Sequence, residues 1–391
     1  MKYGDVNDAE KNVPLSDLFL SFLKLGATAF GGPAMIPYIG KMAVERKRWL
    51  EESTFLDGVA LCQTIPGATA MQVSAYVGLR ARGLSGAGAA FIGFGFPAFS
   101  LMIALSAIYT RTYSLPTVVS AFHGLQAVVV AIVANATLSF GKASLKKWQD
   151  IVVASIAVGM FGWGISPILA ILLSALVGVA LFETTPVPFR SEPVLKPHFP
   201  SNLRWVLTAV AAGFALLFVM DRPLFELAAL MFRIDLFAFG GGFASVPLMF
   251  HEIVEVRGWL EPQKFLDGIA LGQVTPGPIV ITATFVGYLF YGPVGGLIAT
   301  LGIFSPSFLI LVSVTPYFDR LRRSAYFNRA IRGIQNSFVG LLLIVTIRFA
   351  LNIPWDLARA LLASAALIAL FLKADLLWVV LIGAGISMLA L

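Results

Sequence analysis

Residues 45–67 read ERKRWLEESTFLDGVALCQTIPG, and residues 255–277 read EVRGWLEPQKFLDGIALGQVTPG. Thirteen of the 23 aligned positions are identical, across a separation of about 210 residues. The correspondence runs outward from this block. Phe30-Gly31-Gly32 aligns with Phe239-Gly240-Gly241, Val77-Gly78 with Val286-Gly287, Pro97 with Pro306, and Gly124-x-Gln126 with Gly333-x-Gln335. The chain is a duplicated unit. In a hydrophobic protein, matched segments interrupted by Gly and Pro point to the substrate site of a transporter.

Of the 391 residues, 58% are hydrophobic and 13% charged, where a soluble domain carries about a quarter charged residues. Apolar runs of bilayer-crossing length recur along the chain, which predicts an all-α polytopic membrane protein of about 10 to 13 spans. No alternating ten-residue strands suggest a membrane barrel. The polar N-terminus lacks the basic stretch and apolar core of a signal peptide. A net charge of +7 fits basic cytoplasmic loops and gives no reason to invoke nucleic acid. Cys62 is the sole cysteine, and His123, His198 and His251 lack zinc-ligand spacing, so no disulfide, metal or cofactor is expected.

Residues 1–182 form the first repeat, the Pro-rich stretch 183–202 a linker, and 203–391 an extra helix followed by the second repeat. The apolar segment 203–220 has no counterpart in the first half. One additional crossing inverts the second copy relative to the first. Charge agrees. Lys41, Arg46, Lys47 and Arg48 crowd a loop of the first copy whose equivalent at 251–264 is mostly acidic, whereas Arg320, Arg322, Arg323, Arg329 and Arg332 crowd a later loop of the second. With basic loops cytoplasmic, equivalent loops lie on opposite sides.

That parity makes 55–79 and 265–288 re-entrant hairpins, broken at Pro66-Gly67 and at Pro276-Gly277-Pro278. Non-helical backbone at membrane depth survives only inside protein or beside a cavity. There the N–H groups of the outgoing half-helix form an anion site. Gln63 and Gln273, three residues before each Pro, offer amide donors. The glycine breaks Gly31-Gly32 and Gly240-Gly241 supply a second backbone opening in each copy. Lys24 and Arg233 stand six residues before the equivalent Phe-Gly-Gly elements, and a cation in an apolar segment is expected to bind substrate. Asp57 and Asp267 are the acids duplicated in the hairpins and are candidates for carrying a coupling proton, with a helix cap or a salt bridge as the structural alternative. Trp49 and Trp259 read as interfacial anchors.

The duplicated Phe-Gly-Gly and Phe-Leu-Asp-Gly-x-Ala-Leu-x-Gln-x-x-Pro-Gly blocks, with Pro-Gly-Pro at 276–278, resemble the chromate ion transporter family in its long, two-domain form. The resemblance covers essentially the whole chain. It implies a multi-pass inner-membrane protein that exports chromate with the proton-motive force, sulfate being the close analogue, and it is compatible with a homodimer. Ala68 departs from the pattern by giving Pro-Gly-Ala in the first copy. From the residues alone the reading is an oxyanion transporter and not an enzyme. Alternatives are a passive anion channel or a lipid-diphosphate phosphatase, though no Arg or Ser follows either Pro-Gly as a phosphatase would require. No Gly-x4-Gly-Lys-Ser/Thr loop for ATP is present.

Overall fold

The computed structural model describes residues 13–28, 35–183 and 203–390. The first glycine break, Phe30-Gly31-Gly32, and the linker from 184 onward lie outside the described residues. The fold is all-helical. Its first half comprises α1 (Leu15–Thr28), α2 (Met35–Gly40) continued by a widened turn at Lys41–Arg46, α3 (Glu52–Thr64), α4 (Thr69–Thr112), α5 (Pro116–Ser144), α6 (Trp148–Gly162) and α7 (Pro167–Leu181). After the unmatched α8 (Leu203–Met220), the order repeats. α9 (Arg222–Leu236), α10 (Ser245–Phe250) with its widened turn at His251–Val256, α11 (Pro262–Val274) and α12 (Thr282–Val314) correspond to α1 through α4. A short α13 (Phe318–Arg323) precedes α14 (Ala325–Leu351), α15 (Leu357–Phe371) and α16 (Leu376–Ala390), the counterparts of α5, α6 and α7.

The duplication extends to backbone conformation. Gly67 and Gly277 have φ of +117° and +112°, and Gly83 and Gly292 both have +61°. At each of these points the chain reverses. Around Gly67, α3 lies back along the first arm of α4, so that a Cβ on Gly58 would sit 2.2 Å from the Tyr76 ring. The break at Arg82–Gly83 divides α4 into two arms. There Gly78 and Gly86 touch backbone to backbone, a Cβ on Gly78 falling 2.1 Å from the Gly86 carbonyl oxygen. Gly268 on Phe285 and Gly287 on Gly295 repeat both contacts in the second half. Small residues allow this approach, as they do between membrane helices generally.

α1 packs on α4 and α9 on α12, and α4 and α12 pack on each other across the centre. The remaining helices are exchanged between the halves. α6 and α7 of the first half pack on α14 of the second, while α15 and α16 pack on α5. The exchange is reciprocal at the residue level: Gly178 meets Gly333, and at the equivalent pair Ser387 Oγ accepts the N–H of Gly124 at 3.0 Å.

Five described helices are long and apolar enough to cross a bilayer: α4, α5, α8, the α12 segment and α14. α8 is almost wholly exposed, as a lipid-facing helix would be. With the outward-facing Leu, Ile and Phe side chains of the other long helices, this makes the chain a multi-pass membrane protein. The stretch 151–182, too long for one span and short for two, resolves into α6 and α7. Each has 15 residues, about 22 Å of helix, and neither reaches across a hydrocarbon core of about 30 Å unaided.

Candidate functional site

Both Pro-Gly tips point into the centre and dock on the opposite half. At the first tip the N–H of Gly67 donates to the Ala238 carbonyl, and that of Ala68 to Ser307 Oγ, both at 2.9 Å. Gln72 Nε2 donates back to the Pro66 carbonyl at 2.6 Å. These two tip N–H groups are therefore committed to protein acceptors. The acceptor for Ala68 is the Ser307 hydroxyl, which follows Pro306 in α12. At the second tip Gly277 faces Ala98, the residue equivalent to Ser307, which has no polar atom to offer.

Beside the second tip lies a cavity of about 40 Å³, room for roughly three waters at about 10–15 Å³ each. Gln273, Gly277 and Pro278 form one wall, Gly241 a second, and Thr69 and Ala70 a third. The cavity therefore joins the second hairpin, the Phe239-Gly240-Gly241 break and the start of the helix leaving the first tip. Gly240 and Gly241 have φ of +105° and +86°, and a Cβ at Gly241 would press on Thr69 Oγ1 at 3.2 Å. Two outgoing helices begin here, at Thr69 and at Ile279, and first-turn N–H groups have no intrahelical acceptor. Each helix start carries about half a positive charge. None of the described lining residues is ionisable.

Gln273 is 7% exposed, and its Nε2 has no hydrogen-bond partner among the described residues. A buried donor left unpaired costs about 1–3 kcal/mol, so this amide favours any acceptor admitted to the cavity. Its equivalent Gln63 is exposed instead, and its carbonyl accepts from Gln335 Nε2 at 3.3 Å. Pro66 and Pro276 are buried at their tips. Lys24 is exposed on α1, and Arg233 pairs with Glu252 at 2.5 Å. Neither lines the cavity.

The duplicated acids also part company. Asp57 is exposed, 3.6 Å from Arg322. Asp267 is buried, its two oxygens accepting from Tyr109 Oη and Gln126 Nε2 of the other half, each at 2.8 Å. Neither acid caps its helix, since α3 and α11 begin five residues earlier. Trp49 and Trp259 stack on Phe22 and Phe290, with Lys47 and Arg257 over their rings.

Three further acids are buried among the described residues: Glu252, paired with Arg233, and Asp150 and Asp235. Asp150 accepts from Arg332 Nε and a terminal nitrogen, both at 2.8 Å, and from Asn336 at 2.7 Å. Asp235 accepts from Ser307. An acid inside an apolar segment is itself a signal. The duplication does not mark Asp150 and Asp235, whose equivalents are Arg359 and Gly26.

The sequence profile described as "Chromate transporter" matches residues 16–179 and again 225–388. An uncharacterized transporter of Methanocaldococcus jannaschii is 42% identical over 390 residues, covering 99% of this chain and 97% of the relative. A chromate transport protein of Pseudomonas aeruginosa is 31% identical over 347 residues, covering 85% and 80%. A chromate transport protein of Cupriavidus metallidurans is 29% identical over 390 residues, covering 96% and 92%. No solved structure matches the chain.

Proposed function

Because the chain belongs to the chromate transporter family, we propose that it is a secondary active transporter that exports chromate, or the isosteric sulfate, across the inner membrane on the proton-motive force. The anion sits in the central cavity against the Gln273 amide, the Gly240-Gly241 backbone, the second tip at Pro276-Gly277-Pro278 and the helix start after the first tip. The observation that carries this reading is the meeting of both outgoing helix starts, one from each half, at one cavity beside an unpaired buried donor. Two helix ends supply about one positive charge.

The halves are inverted in the membrane, and α3 with the first arm of α4, like α11 with the first arm of α12, re-enters from one face. The unmatched α8, the reversed loop charge and the reciprocal packing of α6–α7 on α14 and α15–α16 on α5 support this. Asp267, buried between the halves, is the stronger of the two duplicated acids as a coupling group. The decisive experiment is flux into proteoliposomes under an imposed pH gradient, comparing chromate, sulfate, molybdate and phosphate. Accumulation of chromate or sulfate that follows the gradient is expected. Equilibration without accumulation would make the protein a passive anion channel.

A further inference from the structure

Asp235 is the next-to-last residue of α9 and is fully buried. Ser307 gives it two hydrogen bonds, from N–H at 2.9 Å and Oγ–H at 2.7 Å, both to Oδ2. Oδ1 has no donor among the described residues. No cation among the described residues pairs with the group. On the elements packed against it, the ionisable residues are Arg222, Glu226 and Arg233 on α9 itself, Tyr288 and Tyr291 on α12 and Arg204 on α8. α10 carries none and runs on into His251 and Glu252. Arg233 pairs with Glu252, His251 with Glu255, and Tyr291 Oη with Asp221 at the far end of α9. A carboxylate here would also face the negative end of its own helix.

The neutral acid suits this position better. A proton on Oδ1 turns an orphaned acceptor into a donor. A second buried acceptor without a donor among the described residues, Gln72 Oε1, belongs to the same cluster, for the Gln72 amide also reaches the Ser307 carbonyl at 3.4 Å. Hydrogen-bonded clusters of this kind in a low-dielectric interior make one proton decisive.

We infer that Asp235 is a proton-binding site whose occupancy is relayed through Ser307 to the first hairpin tip. The hydroxyl that donates to Asp235 accepts the Ala68 N–H, and the next two residues, Thr69 and Ala70, wall the cavity. When the site ionises, the proton passes from Oδ1 to water and no other bond is made or broken. The new carboxylate draws the Ser307 hydroxyl, and with it Ala68, so the cavity wall responds to the proton. The equivalent positions in the first half are Gly26 and Ala98, which gives one such site per chain. Asp267 differs in that both its oxygens already have donors.

The role in coupling rests on the proton-driven reading above; the proton site itself does not. Infrared difference spectra of the full chain in lipid vesicles, between mildly acid and mildly alkaline buffer, read the site directly. A protonated-carboxyl band should be present in wild type, absent in Asp235→Asn and retained in Asp267→Asn. In vesicles loaded with chromate or sulfate, Asp235→Asn should keep anion exchange at equal concentrations. It should lose about tenfold or more of the uptake driven by a pH gradient, as proton-relay acids in membranes do. Should Asp235→Asn fail to insert, Ser307→Ala retains the carboxyl and cuts the relay, so the band should shift and the gradient-driven uptake fall. A missing Asp235 band, or wild-type gradient-driven uptake in both variants, overturns the inference. Wild-type exchange that ignores the gradient sinks the proton-driven reading instead, and the band then still decides Asp235.

Discussion

The N–H of Gly67 and the carbonyl of Ala238 meet at 2.9 Å, main chain to main chain. One residue is the turn of the first hairpin and the other directly precedes the Phe239-Gly240-Gly241 break of the second half. The two halves are thereby joined at the point where both abandon helical geometry, and the cavity lies beside this joint. Movement of either tip therefore moves a wall that belongs to both copies.

Gly67 and Gly277 should fail in different ways when enlarged. Both have positive φ, which costs a β-branched residue about 1–2 kcal/mol. A Cβ at Gly67 would lie 2.2 Å from Ser307 Oγ and 2.8 Å from Gln72 Nε2, whereas one at Gly277 meets only Ala98 Cβ at 2.9 Å. Gly67→Val should reduce the amount of inserted protein as well as transport. Gly277→Val should insert and not transport. Size-exclusion profiles of membrane extracts, paired with flux, separate the two outcomes.

Gln273→Leu should raise the dissociation constant for chromate and sulfate about tenfold, the equivalent of one net hydrogen bond of about 1.4 kcal/mol. Gln63→Leu should leave it within about twofold, since Gln63 is exposed and away from the cavity. Lys24→Gln and Arg233→Gln are the controls that matter most. With neither side chain lining the cavity, each should change affinity less than about threefold, within the range of a surface ion pair. Calorimetric titration of purified variants measures all four. Loss of binding in Lys24→Gln or Arg233→Gln would return the anion to the cations.

Asp150 should prove the strongest single tie between the halves away from the cavity. It is fully buried at the start of α6 and takes two bonds from Arg332 and one from Asn336, both on α14. Removing one partner of a buried pair strands the other and costs about 3–5 kcal/mol. Arg332→Ala should lower the thermal midpoint in detergent markedly, and Asp150→Asn in the same chain should restore part of the loss. Additive losses would mean the two residues act independently.

Asp267→Ala should destabilise by about 2–4 kcal/mol, because it leaves Tyr109 Oη and Gln126 Nε2 buried without an acceptor. Asp57→Ala, at an exposed position, should fall within about 0.5 kcal/mol of wild type. Tyr109→Phe should show roughly half the Asp267 effect. Equal midpoints for Asp57→Ala and Asp267→Ala would argue against the buried network.

Inverted orientation predicts that cysteines at Lys47→Cys and Arg257→Cys, in a Cys62→Ala background, react with impermeant reagents from opposite faces of the membrane. Cys62 is fully buried, so its replacement removes a thiol without opening a surface site. Labelling of both cysteines from one face would set the halves parallel.

The sequence by itself determined the membrane class, the duplication and the breaks at Pro66-Gly67 and Pro276-Gly277. Composition and repeat spacing suffice for these, because a lipid-embedded backbone must be helical except where Pro and Gly interrupt it. Gly67 and Gly277 were legible as turns for that reason, and their matching φ values follow from the duplicated residues around them. Only the tertiary structure decided which equivalent residues share a role. Gln63 and Gln273 are the same letter in the same motif, yet one is exposed and the other lines the cavity. Asp57 and Asp267 diverge likewise: α5 with Gln126 and α4 with Tyr109 come from the opposite half to meet Asp267, whereas Asp57 stays exposed beside Arg322. Asp235 became visible only when Ser307 was brought against it from 72 residues away. Local chemistry sets where a chain can bend, but the charge and hydrogen-bond state of a buried group is set by what packs on it, and here that partner comes mostly from a distant stretch of the chain.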